Sequence, residues 1–486
     1  MPKYERLKSI RIMVLAHASR LIVSALTPLV TLPYVTRILG PEALGLYEYS
    51  LALVSNFLIL GIFGLSSFGQ REIAAVRHIP DAIGVRATNL YCIGIASAAG
   101  SYLILMLFAL SGSHSVAEIN MLLILGLTIP AYAISAEWIL LGLDEYFYVS
   151  IRTIFLQLIS LVSIFTFVKG SGDAKIYAIL TVAPQLATAI LNSRKIYQFL
   201  ELRSITKKHL IPDLKKSSLF LLSSLAISVY TSLDTIILGR YGDHSELGIY
   251  ALSKRISLAG ITGSTALGTV LVSKLTSLNA KGQQQQETIL LQKSLLFLLF
   301  LSLPASLGLM LLSRDVVLIF GGERYLASNT SLLILSANVF IVSLAHISLN
   351  QILIPSNKET YALRSWLFGA ICGSLLGALL IPRFGNIGAA LTCTISEFCV
   401  LVIAAFYARD KILACFDMSA ALVAVLSCFV MGMFIYFIND YYQNITIVNL
   451  VQKIVFSIAV FVCATFLLSR IMRKITNGKS NGKVFR

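Results

Sequence analysis

The chain has 486 residues, 57% of them hydrophobic and only 13% charged, with a mean hydropathy of +0.82 and a net charge of +16. That composition excludes a soluble globular domain and a disordered segment alike. A bilayer core demands about 20 apolar residues per helix, so the length reads as an all-α polytopic integral membrane protein of about 14 transmembrane helices.

In chain order the apolar segments fall near residues 12–36, 45–70, 87–110, 117–142, 150–168, 176–196, 218–239, 246–273, 289–312, 326–354, 363–381, 387–408, 418–438 and 449–469. The longest stretch between them, 192–217, leaves no room for a soluble domain. Loops on the N-terminal side hold 28 Lys and Arg and the opposite loops hold 7. By the positive-inside rule both termini and the 192–217 loop are expected in the cytoplasm. The basic excess is therefore a topology signal, with no nucleic-acid partner implied.

Lys3, Arg6, Lys8 and Arg11 make a basic start, and Ala16-His17-Ala18 imitates a cleavage site. Only four apolar residues precede that site, too few for a signal peptide, so the first span is expected to be retained. The seven cysteines lack metal-like spacing and read as packing residues. Sequons at Asn329 and Asn444 carry no weight by themselves.

Two segments about 200 residues apart share a pattern. Ile38-Leu39-Gly40, Leu44-Gly45-Leu46-Tyr47 and Gly61-Ile62-Phe63-Gly64 are echoed by Ile237-Leu238-Gly239, Leu247-Gly248-Ile249-Tyr250 and Gly260-Ile261-Thr262-Gly263. Gly172-Asp173-Ala174 and Gly385-Asn386-Ile387 form a weaker echo. An offset of six spans gives halves of the same orientation, an arrangement of transporters that bind cargo between the halves.

The run Leu32-Pro33-Tyr34-Val35-Thr36-Arg37-Ile38-Leu39-Gly40-Pro41-Glu42, then Gly45-Leu46-Tyr47 and Gly69-Gln70-Arg71-Glu72-Ile73-Ala74, resembles the N-terminal signature of the polysaccharide exporters. Residues 381–390 ahead of Glu397 are similar to the same family's eleventh-to-twelfth helix turn. Within that flippase superfamily, which also holds multidrug extruders and lipid II flippases, the likeness is to O-antigen flippases. The resemblance implies two parallel six-helix bundles around a central cavity plus two C-terminal helices, here divided as 1–203, 204–412 and 413–486. It implies a cargo of undecaprenyl-diphosphate-linked oligosaccharide moved from the cytoplasmic to the periplasmic leaflet of a bacterial inner membrane. Membrane lipid, a coupling proton or sodium ion, a polysaccharide polymerase and a chain-length regulator are the partners that go with it.

Seven ionisable residues fall well inside spans: Arg20, Glu48, Glu137, Asp234, Lys254, Arg255 and Glu397. A charge at mid-bilayer costs about 2.5–3.5 kcal/mol on insertion scales, so each needs a partner or a wet cavity. Lys453, near a span end, is expected to snorkel to the interface. His17, Arg20, Ser24, Thr27 and Thr31 share one helical face, as do Ser224, Ser228, Thr231 and Thr235, with Tyr230 and Asp234 flanking. Tyr250, Lys254, Ser257 and Ser264 share a third. Arg20, Lys254 and Arg255 suit a diphosphate, which Arg grips bidentately and Lys meets as a point charge. The structural alternative is helix–helix pairing, such as Arg20 with Glu48 or Lys254 with Asp234. Glu48, Glu137, Asp234 and Glu397 are candidates for counter-ions or for carrying a coupling proton.

No phosphate-binding glycine loop, metal-like His/Cys cluster or nucleophile elbow occurs, so no enzyme, cofactor or metal is expected. Two rivals remain: a multidrug cation extruder of the same superfamily, whose pocket should be acidic, and an integral-membrane polysaccharide polymerase, which needs a catalytic loop.

Overall fold

The structure, a computed structural model, describes residues 3–112, 114–201, 207–441 and 446–481. The Asn444 sequon, part of the basic 192–217 loop and the end of the basic C-terminal tail lie outside the described residues. Among the described residues the chain is helical throughout, without strands.

The helices are α1 (Lys3–Ile62), α2 (Leu65–Val76), α3 (Pro80–Ala109), α4 (Val116–Gly126), α5 (Thr128–Ser135), α6 (Glu137–Gly142), α7 (Tyr146–Phe167), α8 (Ala174–Ile196), α9 (Lys207–Tyr241) and α10 (His244–Ala280). They continue as α11 (Gln284–Leu311), α12 (Ser313–Phe320), α13 (Ser328–His346), α14 (Glu359–Cys415), α15 (Met418–Tyr441) and α16 (Ile447–Asn481). Eleven helical stretches are long and apolar enough to cross a membrane, and a bent pair within α9 makes a twelfth. Two of these, of 62 and 57 residues, are too long for one pass, since a single crossing takes about 20 residues. Each is interrupted by a glycine with positive φ, Gly40 (φ 78°) and Gly385 (φ 53°). Only glycine enters that region without strain. Each splits into two stretches of spanning length, so the described residues hold fourteen stretches long enough to cross. The protein is a polytopic α-helical membrane protein.

Two compact units divide the chain, Met1–Gly248 and Ile249–Arg486, so that α9 and the start of α10 lie in the first. In the first, α1 packs on α3, α7 and α9, and α5 on α8. In the second, α13 packs on α11 and α14, and α15 on α11 and α16.

The repeated glycines are not equivalent in backbone form. Gly40 breaks its helix, whereas Gly239 stays inside α9 and the chain turns only after Tyr241. Gly239 lies under the Tyr49 ring instead, where a Cβ would stand 2.3 Å from Tyr49 Cδ2. The second glycine of each copy serves close approach. A Cβ on Gly45 would stand 1.7 Å from the His244 carbonyl oxygen, and one on Gly248 would stand 1.9 Å from that of Pro41. Here α1 and the start of α10 touch backbone to backbone. The Gly321-Gly322 segment forms a turn, with Gly322 at φ 75°.

Candidate functional site

The Gly69-Gln70-Arg71-Glu72 run of α2 builds one wall of the site. A Cβ on Gly69 would stand 2.6 Å from the Trp138 ring, so the missing side chain lets the indole lie on α2. Gly142 does the same from α6 against Ile73. Trp138, Ile139 and Leu140 then join Leu65, Phe68 and Ile73 in one buried core. Gln70 Nε2 donates to the Tyr146 hydroxyl at 3.1 Å, and the Tyr146 ring meets His17 edge-on at 5.5 Å. Glu72 accepts from Arg86, which also pairs with buried Asp213 of α9 at 2.5 Å.

The fourth span is broken into α4, α5 and α6. Ala136, fully buried, takes φ 32° and ψ 46°, a conformation that L side chains rarely adopt and that is held by its surroundings. Asn192 of α8 donates to the Ser135 carbonyl at 2.9 Å, satisfying the end of α5. The break places Glu137 at the start of α6, where its two oxygens serve two cations. Arg20 of α1 donates to Oε1 at 3.0 Å, and Arg152 of α7 donates to Oε2. Arg152 also donates to Asn192 Oδ1. His17 Nδ1 lies 3.5 Å from Arg20 Nη2. The side chains of Arg20, Glu137 and Arg152 are 16%, 21% and 4% exposed, so this is a largely dehydrated cluster. Two guanidiniums share one carboxylate, and the cluster keeps one net positive charge.

Arg20 therefore pairs with Glu137, 117 residues on, and Glu137 is a shared counter-ion rather than a wet interfacial group. Arg152, one of the 28 Lys and Arg counted on the N-terminal side although it falls within the 150–168 segment, is a buried residue of α7. Nothing in the local sequence separates it from a loop cation, because it sits in the second turn of its span. The polar face of α1 is turned toward protein: Ser24 exchanges hydrogen bonds with Gln157 of α7, while Thr27 and Thr31 bond back to their own helix. On α9, Ser228 donates to Asn56 Oδ1 and Asn56 Nδ2 to Ser232. Buried Asp234 accepts from the Thr235 backbone N–H at 2.7 Å.

Lys254 and Arg255 lie on α10 in the second unit, both half-buried. Lys254 Nζ sits 5.6 Å from the Tyr250 ring centroid, and Ser257 donates to the Leu335 carbonyl. Glu48 and Glu397 are half-buried. Each of these charged groups is engaged with neighbours. Lys453 does not snorkel. It is 2% exposed and its Nζ pairs with Asp315 Oδ2 of α12 at 2.7 Å, because the short α12 carries an acid down to meet it. Glu287 of α11 is also buried and pairs with Lys411 at 2.5 Å.

Among the described residues no group of three or more His, Cys, Asp or Glu side chains is placed to hold a metal ion. The cluster holds dehydrated guanidiniums in excess over carboxylate, with fixed donor geometry, a chemistry that can attract an anion.

The match to known proteins agrees with this architecture. The chain is 24% identical over 401 residues to a putative O-antigen transporter of Escherichia coli K12, covering 80% of this chain and 94% of that one. It is also 24% identical over 297 residues to a probable low-salt glycan biosynthesis flippase of Haloferax volcanii, covering 61% of this chain and 62% of the relative. Its fold is similar to that of the lipid II flippase MurJ in an inward closed conformation, with a TM-score of 0.72 and 15% identity over 95% of this chain and 99% of that one. An inward-facing multidrug transporter of the MATE family aligns with a TM-score of 0.57 at 13% identity, over 80% and 98%. Residues 13–272, more than half of the chain, match the family model described as polysaccharide biosynthesis protein, and the chain belongs to that family.

Proposed function

We propose that this protein is a flippase that moves an undecaprenyl-diphosphate-linked oligosaccharide, an O-antigen or related repeat unit, from the cytoplasmic to the periplasmic leaflet by alternating access. The observation that carries the reading is the excess positive charge of Arg20 and Arg152 over Glu137 among apolar helices. A diphosphate dehydrated in hydrocarbon faces a solvation penalty of tens of kcal/mol, which guanidiniums already stripped of water offset. Lys254 and Arg255 are further cations suited to a diphosphate, and Glu48, Asp234 and Glu397 would act as counter-ions or ion-coupling groups. Outward movement of each negative charge gains about 2.3 kcal/mol per 100 mV of membrane potential. The carrier is a multi-pass protein of the bacterial inner membrane with both termini cytoplasmic, and it makes and breaks no covalent bond. A polymerase and a chain-length regulator act on its product.

The test is chemical. Arg20→Ala and Lys254→Ala cells should lose surface polysaccharide with normal membrane levels of the protein, and should accumulate complete lipid-linked units facing the cytoplasm. Mass spectrometry of the extracted lipids with an impermeant probe for leaflet reads this out. Truncated units would indicate an enzyme, and full activity of both variants would remove those cations from the cargo path. A multidrug cation extruder, which shares the fold, would need an acidic pocket where this cluster is basic.

A further inference from the structure

The second unit holds a buried polar pair that the cationic cluster does not involve. α13 ends at His346 and runs on as a π-helical turn, Ile347–Leu353. Such turns disturb the regular ladder and occur often at functional positions. Gln351 lies inside this turn at 0% exposure, and neither its Oε1 nor its Nε2 has a hydrogen-bond partner among the described residues. His346 Nδ1 is likewise buried and unpartnered.

Both groups address the same small volume over Gly268 of α10. A Cβ there would stand 2.4 Å from Gln351 Nε2 and 3.2 Å from His346 Nδ1. Glycine at 268 leaves the amide and the imidazole side by side. A leucine at 351 would fill the space without stranding two hydrogen-bonding groups, so packing alone does not account for the glutamine.

Two acids on helices packed around α13 and the π-helical turn, Glu287 and Asp315, are paired elsewhere. Glu287 of α11 pairs with Lys411 of α14, whose Nζ also reaches Ser356 Oγ at 3.0 Å. Asp315 of α12 pairs with Lys453. α10 meets the pair through Gly268, with Lys274 about two turns later and Lys254 and Arg255 about four turns earlier. His346 has no ion-pair partner among the described residues.

We propose that His346 and Gln351 form a proton-binding site. The neutral imidazole takes a proton from hydronium, releasing water, and the new N–H bond is accepted by the Gln351 carbonyl. The amide turns on its side-chain torsions until its oxygen reaches the imidazole, since neither amide atom is held by another hydrogen bond. The unloaded pair is uncharged and suits the bilayer, and loading adds one positive charge that must be released on reaching water. Use of that proton to drive transport rests on the flippase reading above; the binding itself does not.

The protein has six histidines, so ring-labelled histidine gives few NMR signals in nanodiscs, and His346 is identified by its loss in His346→Gln. Between about pH 5 and pH 9, the range in which imidazoles titrate, the His346 signal should follow a one-proton transition. Gln351→Leu should move its midpoint by about one unit, through loss of the accepting carbonyl, while melting no lower than the wild type. A His346 signal indifferent to pH, or a midpoint unmoved by Gln351→Leu, overturns the site. In proteoliposomes a pH gradient should change the wild-type rate of lipid-diphosphate transfer and leave the His346→Gln rate unchanged. Retention of the wild-type gradient response by His346→Gln refutes the coupling role. Titration of His346 in a protein that moves no lipid would sustain the proton site and refute the flippase reading.

Discussion

Replacing Glu137 with alanine would leave two guanidiniums facing each other across the gap. Arg152 is 4% exposed and Arg20 16%, so little water is at hand to take the carboxylate's place. Removing one partner of a buried pair costs about 3–5 kcal/mol. The 21% exposure of Glu137 and the remaining Arg152–Asn192 bond place the expectation near the lower bound, at about 3 kcal/mol. Glu137→Gln, which keeps one acceptor, should fall between that value and the wild type. The chain has two tryptophans, and Trp138 is buried beside Glu137 against Gly69. In a Trp366→Phe background, Trp138 fluorescence during denaturant unfolding in mild detergent therefore reports on the perturbed site itself. A double-mutant cycle of Arg20→Gln with Glu137→Gln should give a coupling of about 1–3 kcal/mol. Wild-type unfolding by Glu137→Ala, or additivity in the cycle, would refute the shared counter-ion.

Gly45→Ala should sharply lower the melting temperature, because its Cβ meets a carbonyl oxygen that no side-chain rotation can move. Gly100→Ala inside α3, with nothing within 4 Å, should instead gain up to about 1 kcal/mol in the same assay. Asp315→Ala should cost about 3–5 kcal/mol by stranding Lys453, whereas the double replacement Lys453→Met with Asp315→Leu should melt close to the wild type.

The spans were legible in the sequence because bilayer thickness imposes a length on every apolar segment, and each of the fourteen segments corresponds to a stretch of helix. The polar face of α1 was legible too, since helical period alone places His17, Arg20 and Ser24 together. Their partners were not. Arg20 meets Glu137 across 117 positions and Lys453 meets Asp315 across 138, and helical period is silent on which spans are neighbours. Arg152 was misplaced for a related reason: at a span's first turns, hydropathy does not distinguish a buried cation from one in water. The strained Ala136 and the π-helical turn at 347–353 left no trace, as both are imposed by tertiary packing on ordinary helix-forming residues.

The contact between Gly45 and Gly248 has a mechanical consequence. Most helix pairs interlock through side chains, and separating them means re-sorting rotamers on both faces. Here carbonyl oxygen and α-carbon meet with nothing between them, so this junction has no teeth to disengage. At the start of α10 the protein holds a contact whose tightness depends on the absence of two methyl groups, one on each helix.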